Sequence, residues 1–271
     1  MGIVERKERE REARRSQILD AARKVFEERG IGQATMDEIA REAELAKGTI
    51  YLYYKNKEEL LLGLILKGFE VLIGLVSNSK ESFPTGLEQL LGVSDAYRKF
   101  ATEERFYFSL MNVTEPPAKS NISTELLAEL GERTEQLWTL FVGMAEQAKL
   151  EGDITPEIDS FTFVVTLWLS ATGVLRMYNK CLGSQNSVFS VQKHGVRLDR
   201  LDWNYVYELD ARMLLENVLT DAGRKRLGPV AWRPSGFLEQ TENCMSDQAN
   251  DQANDHTANQ LLEQSTEAIL S

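Results

Sequence analysis

Apolar residues recur at helical spacing along most of the chain, beginning in a stretch of mixed charge near the amino terminus. Residues 5–29 carry such a stripe on one face, formed by Ile18, Ala22, Val25 and Phe26. Gly30 follows, and glycine is typical of the position where a helix ends. The pattern therefore predicts a first helix that stops at Gly30.

A capping pattern predicts a second, short helix. Thr35 is followed three residues later by Glu38, a pair whose hydroxyl and carboxylate satisfy the free backbone N–H groups at a helix start. In the segment "MDEIAREA", Ile39, Ala40 and Ala43 then fall on the inward face. We expect this helix to end near Ala43.

The segment "AKGTIYLYYKNK", residues 46–57, follows a turn of about three residues, "ELA", and is predicted to be a third helix. Two short helices joined by a tight turn after a longer helix are typical of a helix-turn-helix unit. A spacing of four places Lys47, Tyr51 and Lys55 on one stripe, which is basic and phenolic. Ile50 and Tyr54 lie on another stripe, which we expect to face the core.

Gly48 favours a nucleic-acid function for this third helix. A glycine inside a helix costs about 1 kcal/mol relative to alanine, so packing gains nothing from it. In a DNA major groove, however, a missing side chain lets the backbone approach phosphates or base edges, and Thr49 can offer a hydroxyl or a methyl group beside it. Solvated lysines and core tyrosines could explain each residue singly, but the combined pattern indicates DNA binding.

Residues 16–61, "SQILDAARKVFEERGIGQATMDEIAREAELAKGTIYLYYKNKEELL", resemble the amino-terminal DNA-binding domain of the TetR (tetracycline repressor) family of bacterial transcription regulators. The resemblance implies contacts with backbone phosphates by Thr35, Tyr51, Tyr53 and Lys55. It implies that base edges or neighbouring phosphates are contacted by Lys47, Gly48 and Thr49. It also implies that Tyr54 belongs to the core.

The rest of the chain predicts further helices, and we expect an all-α protein. Their predicted ranges are 57–76, 87–101, 103–114, 124–151, 156–178 and 203–222. The expected domains are a helix-turn-helix DNA-binding domain at 1–57, a larger helical domain at 58–234 and a disordered tail at 235–271, which contains the repeat "DQANDQAND". Residues 183–200 form either a small hairpin around Lys193–Gly195 or a plain loop, and the plain loop is favoured.

The same resemblance implies that the larger domain binds a small molecule and forms a homodimer. Residues 157–178 and 203–222 would then build a four-helix bundle with the partner subunit. Bulky apolar residues of the central helices are candidates to line the ligand pocket, although residues of this kind are more often plain core than pocket lining. They are Phe106, Phe108, Met111, Trp138, Phe141, Met144, Phe163, Trp168 and Met177.

Charge is distributed unevenly along the chain. The formal net charge is −11, yet residues 1–60 hold 13 basic and 13 acidic residues, and the acidity belongs to the remainder. Because salt screens distant charges, a neutral module with grouped lysines can still bind DNA.

Two cysteines far apart, Cys181 and Cys244, favour a reducing cytoplasmic setting. The uncharged stretch Ser160–Leu175 is short for a membrane span, so we expect a buried helix and no membrane association.

Residue types typical of catalysis or metal binding are scarce. His194 and His256 are isolated from cysteines and paired carboxylates, and neither a phosphate-binding glycine loop nor a nucleophile motif is present in the sequence. We therefore expect no cofactor, no metal and no enzymatic activity.

These observations predict a repressor that binds a palindromic operator in double-stranded DNA as a homodimer and is released by a small hydrophobic inducer. The alternative is a DNA-bound adaptor whose helical body responds to a protein partner. A helical enzyme with an incidental basic helix is a third reading, disfavoured by the lack of an acid–base or metal constellation.

Overall fold

The protein is described by a computed structural model, which covers residues 2–112, 122–182, 190–191, 196–197 and 202–228. The described residues up to Arg224 form one compact unit. The amino-terminal helices are α1 (Ile3–Arg29), α2 (Met36–Glu42), α3 (Lys47–Tyr53) and α4 (Lys57–Ser82). The later helices are α5 (Gly86–Glu103), α6 (Arg105–Met111), α7 (Thr124–Leu150), α8 (Ser160–Leu182), α9 (Trp203–Glu216) and α10 (Asp221–Leu227). The predicted all-α class is confirmed.

The first three helices enclose a small core, whose members come from the predicted inward stripes. Ile18 of α1, Ile39 of α2, Ile50 of α3 and the following Tyr54 are each 0% exposed. Helix α1 packs against α2 and α4, and α2 packs against α3. The helix-turn-helix arrangement thus follows from apolar positions that the sequence already displays.

Helix α4 joins this unit to the larger helical body. It packs against α5, α6 and α7 as well as α1. By length and composition alone, α4 and residues 160–181 of α8 could cross a membrane, but half of the apolar window of α4 is buried, as in the core helix of a globular protein. Helix α8 is not buried all round as expected, because Phe161 and Leu169 are more than half exposed.

Two predicted helix boundaries near the carboxyl end are wrong. Helix α8 begins at Ser160 rather than at Pro156, and the predicted helix 203–222 is divided into α9 and α10. Ile154, which precedes α8, and Leu219, which lies between α9 and α10, form an antiparallel bridge. The Thr155 N–H donates to the Val218 carbonyl at 2.9 Å. Extended pairing therefore replaces helix at residues 218–220 within the predicted range 203–222, whereas its other half, residues 153–155, lies just before residue 156.

Strands β1 (Ser190–Val191) and β2 (Val196–Arg197) pair in antiparallel fashion, with Ser190 opposite Arg197. The hairpin alternative is therefore correct for this stretch, and the favoured plain loop is wrong. His194, His256, Cys244 and the predicted tail 235–271 lie outside the described residues.

Candidate nucleic-acid interface

Helix α2 begins with the predicted capping box. The Glu38 N–H donates to the Thr35 hydroxyl oxygen at 3.3 Å, while the Thr35 hydroxyl and backbone N–H both donate to the Glu38 carboxylate at 3.0 Å. These hydrogen bonds lower the pKa of Glu38 below its usual value, and Arg29 and Arg41 add to the effect. Both donors of Thr35, a predicted phosphate contact, are thus engaged within the protein.

The turn between α2 and α3 is as short as predicted. Glu44 has a φ of 53°, the left-handed conformation that reverses the chain in a tight turn. The Leu45 N–H donates to the Ala40 carbonyl at 2.9 Å, and the Thr49 N–H donates to the Ala46 carbonyl at 2.8 Å. The turn is therefore tied to both helices and fixes the direction of α3.

Helix α3 presents one face to the core and another to solvent. Ile50 and Tyr54 are 0% exposed, which confirms their predicted inward orientation. Lys47 and Gly48 are exposed, Tyr51 is 42% exposed, and Thr49 and Tyr53 are partly exposed. The structure thus keeps the predicted basic and phenolic face accessible at its amino-terminal end.

Lys55 does not belong to α3, contrary to the predicted stripe of three. The helix ends at Tyr53, and Tyr54 has extended backbone angles of φ −138° and ψ 113°. Lys55 is exposed in the link to α4, where its backbone N–H donates to the Glu59 carboxylate at 2.7 Å. Its side chain therefore extends from a loop beside the helix.

An ion pair crosses the exposed face. The Lys47 ammonium lies 2.6 Å from the Asp37 carboxylate and 6.0 Å from the centre of the Tyr51 ring. The hydrogen bond to Asp37 and its negative charge raise the pKa of Lys47 above its usual value. Lys47 is thus a cation held in place by α2, and Asp37 is a functional neighbour that the sequence analysis did not identify.

Among the described residues, nothing requires glycine at position 48. A Cβ atom built there meets no other atom within 4 Å. The conformational cost of this glycine is therefore not offset by any contact inside the described chain.

A buried carboxylate connects the end of the exposed surface with the helical body. Glu59, 2% exposed, accepts the Lys55 N–H through one oxygen and the Ser123 N–H through the other, at 2.7 and 3.0 Å. Ser123 is the cap residue of α7. No pattern in the sequence indicates this role, because Glu58 and Glu59 are adjacent glutamates in the same charged segment.

Three further contacts fix the unit. The Lys57 ammonium donates to the Ile31 carbonyl at 2.9 Å and so holds the link between α1 and α2. Arg15 of α1 lies 3.9 Å from Glu129 of α7. Arg23 of α1 pairs with Glu104 at 3.1 Å, and its guanidinium carbon lies 4.7 Å from the centre of the Tyr107 ring. Helix α1 is therefore bound to both α6 and α7.

The predicted ligand-pocket residues fall into separate groups. The Trp138 ring packs edge-on against Phe141, Phe161 and Trp168, at centroid distances of 6.0, 5.7 and 5.5 Å. Phe108 packs against Phe100 and Tyr97 instead. The others are scattered: Phe106 is near Arg23, Met111 is against Gly68, Met144 and Phe163 are buried, and Met177 is partly exposed.

A polar contact lies among these apolar side chains. The Tyr97 and Thr172 hydroxyls are 2.8 Å apart and buried. Burial raises the pKa of Tyr97, and the side chains of Thr172, Trp168 and Asn112 near its hydroxyl oppose that rise. The sequence does not reveal this pair, because threonine and tyrosine also occur in the apolar stripes of helices and neither residue stands out there.

Helices α8 and α9 pack together and leave apolar side chains on their outer surface. The exposed fractions are 53% for Phe161, 57% for Leu169, 54% for Tyr205, 41% for Leu209 and 60% for Met213. Tyr205, Leu209 and Met213 recur every four residues and therefore form one stripe of α9. We call this set the α8–α9 face. Elsewhere, the described parts of the chain hold no group of three or more potential metal ligands.

Comparison with known proteins agrees with this geometry. Residues 18–64 match the family described as "Bacterial regulatory proteins, tetR family". Over 48 residues the chain is 52% identical to the fatty acid metabolism regulator protein of Bacillus subtilis (strain 168), covering 18% of this chain and 25% of that relative. Over 121 residues it is 31% identical to the HTH-type transcriptional activator FasR of Mycolicibacterium smegmatis, covering 42% of this chain and 55% of that relative.

A solved structure extends the likeness of fold beyond the DNA-binding unit. The transcriptional regulator FadR from Bacillus subtilis, in complex with stearoyl-CoA, has a TM-score of 0.57 and 20% identity, covering 75% of this chain and 98% of that one. Such a likeness concerns the fold alone, whereas the curated relatives above are matched over a quarter and just over half of their length. Helix order, burial pattern and the match at residues 18–64 agree, so this part of the chain is a domain of the kind described as "Bacterial regulatory proteins, tetR family".

Proposed function

We propose that this protein regulates transcription by binding double-stranded DNA through α3. The observation that carries the proposal is the division of α3 into an exposed face with Lys47 and Tyr51 and a buried face with Ile50 and Tyr54. Lysine ammonium and tyrosine hydroxyl groups are donors for phosphate oxygens. We propose Thr49, Tyr53 and Lys55 as further contacts, and Thr35 as one whose hydroxyl would exchange Glu38 for a phosphate oxygen. A protein with this function acts in the cytoplasm.

The α8–α9 face supports a homodimer in which this face meets its copy. Apolar side chains on two adjacent packed helices gain free energy when a second copy covers them. Dimerisation also serves recognition, because one short helix reads few bases and two related by a twofold axis read a palindrome. The operator would then present its half-sites about 34 Å apart, on one side of the duplex.

The helical body supports binding of a small apolar ligand, and a long-chain acyl compound is the first candidate. The aromatic group around Trp138 and the buried Tyr97–Thr172 pair offer apolar contacts together with hydroxyl groups. The likeness to a regulator of fatty acid metabolism and to a fold that holds stearoyl-CoA guides this choice. We propose that the ligand changes the separation of the two α3 helices and releases the protein from its operator as an inducer releases a repressor.

Fluorescence anisotropy with DNA from the region upstream of the gene tests the DNA assignment. The double variant Lys47→Ala/Tyr51→Ala should lose at least about tenfold in affinity, and its salt slope should fall by about 1. Lys80→Ala, which removes an exposed lysine at the end of α4, is the matched control and should bind as the wild type does. Equal affinity and slope for the double variant and the wild type would refute DNA binding by α3.

Titration of the protein–DNA complex with stearoyl-CoA and free fatty acids tests the ligand. Release of DNA at saturating ligand supports an inducible repressor. If acyl compounds leave the complex intact while a protein partner releases it, the adaptor function replaces the ligand-responsive one. Reporter transcription in the absence of ligand then decides the sign of regulation.

A further inference from the structure

The most exposed side chain of α3, the helix proposed to contact DNA and called the reading helix below, is apolar. Leu52 is 84% exposed, although it stands between Tyr51 and Tyr53 on a helix whose opposite face is fully buried. Single exposed leucines are ordinary on protein surfaces, so exposure alone carries no meaning. Its position on α3 is what distinguishes Leu52.

Leu52 follows Gly48 by four residues, so both lie on one side of α3. A Cβ atom at Gly48 would meet nothing within 4 Å, which leaves the helix surface flat there. Leu52 rises next to this flat patch as an isobutyl group. Neither residue has a side-chain hydrogen-bond donor or acceptor, and this strip therefore cannot pair with phosphates or with polar base edges through its side chains.

Polar and charged groups border the strip. Lys47 and Tyr51 lie towards one side, and the exposed Lys55 follows α3 in the chain. Such groups suit the phosphate backbones that border a groove. An apolar group beside them suits the floor of the groove, where the thymine 5-methyl is the apolar group presented by the bases.

We propose that Leu52 determines sequence specificity by packing its isobutyl group against the 5-methyl group of a thymine in the major groove. The inference rests on the proposed DNA-binding function and identifies one nucleobase that the protein recognises. It predicts one thymine in each operator half-site whose methyl group contributes to affinity.

Replacing thymine by deoxyuridine tests the contact, since this change removes only the methyl group. A high-affinity duplex is first selected from a random library with the full-length wild-type protein, and its thymines are then replaced one pair of symmetric positions at a time. Loss of a buried methyl contact corresponds to about a fourfold change in affinity, or about fifteenfold when both half-sites are changed. The wild type should show this loss at one symmetric pair.

The variant Leu52→Ala should bind thymine and deoxyuridine duplexes with equal affinity at that pair. Leu150→Ala is the matched control, because Leu150 is 89% exposed at the end of α7 and should leave the discrimination intact. The inference is overturned if the wild type discriminates at no thymine, or if Leu52→Ala keeps the full discrimination. Failure of the wild type to select any duplex would instead refute the proposed function.

Discussion

The carboxylate of Glu59 and the backbone N–H of Ser123 are joined by a hydrogen bond of 3.0 Å, which ties the first turn of α4 to the cap of α7. The other oxygen of Glu59 accepts the N–H of Lys55, two residues after the end of α3. One buried carboxylate thus lies between the helical body and the reading helix. Further along the same helix, Leu62 and Leu66 of α4 pack against Leu126 of α7.

Glu59→Gln should weaken this connection. An amide presents one oxygen and one NH2 group, so one of the two backbone N–H groups loses its acceptor and faces a donor. We expect the free energy of unfolding to fall by about 1–3 kcal/mol in urea titrations. The effect of a releasing ligand on DNA affinity should also shrink. Glu58→Gln, at the adjacent partly exposed position, is the control and should change neither quantity. An unaltered ligand response in Glu59→Gln would show that coupling takes another route.

Asp37→Asn should strengthen DNA binding. In the free protein Asp37 neutralises Lys47 at 2.6 Å, and phosphate must compete with this carboxylate for the ammonium group. Removing the negative charge should raise affinity several-fold and steepen the salt dependence, while stability changes little because the ion pair is exposed. Anisotropy titrations at several salt concentrations measure both effects. Asp221→Asn, which removes an exposed carboxylate paired with Arg224, should leave them unchanged. A weaker complex for Asp37→Asn would mean that Asp37 itself contacts DNA.

The sequence predicted the helix-turn-helix unit, α1–α3, well because its determinants are local. The Thr35–Glu38 capping box, the tight turn and the inward Ile50 depend on residues within one or two helical turns of each other. The backbone N–H of Lys55, in contrast, donates to Glu59. The other oxygen of Glu59 accepts the N–H of Ser123, which lies 64 positions further along the chain. Periodicity cannot reveal such a partner.

The division of the predicted helix 203–222 has the same origin. Residues 153–155 pair with 218–220, and this pairing lies between α9 and α10, although the segment shows helical spacing. Among the candidate pocket residues, the aromatic group around Trp138 could be foreseen only as apolar side chains. Which rings meet one another is decided by the packing of α7 on α8, not by their order in the chain.

Gly63→Ala should destabilise the DNA-binding unit. A Cβ atom at this position of α4 would lie 2.7 Å from the Tyr54 ring and 3.0 Å from a Leu19 methyl group. Overpacking of this kind costs about 1–3 kcal/mol, and movement of Tyr54 would also disturb α3. Gly74→Ala, on the same helix with no atom within 4 Å of its Cβ, should instead stabilise by up to about 1 kcal/mol. Urea unfolding of the pair measures the difference, and equal stability of the two variants would contradict the packing argument.

Leu169→Glu together with Met213→Glu should produce a monomer. Both side chains are more than half exposed on the α8–α9 face, so the folded subunit tolerates the change, whereas a carboxylate buried between two copies would be strongly unfavourable. Sedimentation velocity should show a dimer for the wild type and a monomer for the variant, with weaker binding to a palindromic duplex. Leu150→Glu, an equally drastic change at an exposed leucine outside this face, should remain dimeric. A monomeric wild type at micromolar concentration would refute the proposed dimer.

The capping box at α2 should make stability depend on pH in acid. Hydrogen bonds from Thr35 lower the pKa of Glu38 in the folded protein, so folding favours its ionised form. This contribution is complete above the pKa of glutamate in the unfolded chain and is lost as the pH falls through the lower folded value. Urea midpoints measured from neutral to acidic pH should therefore fall less steeply for Glu38→Gln than for the wild type over that interval. Parallel curves for Glu38→Gln and the wild type would show that the carboxylate does not favour folding in its charged form.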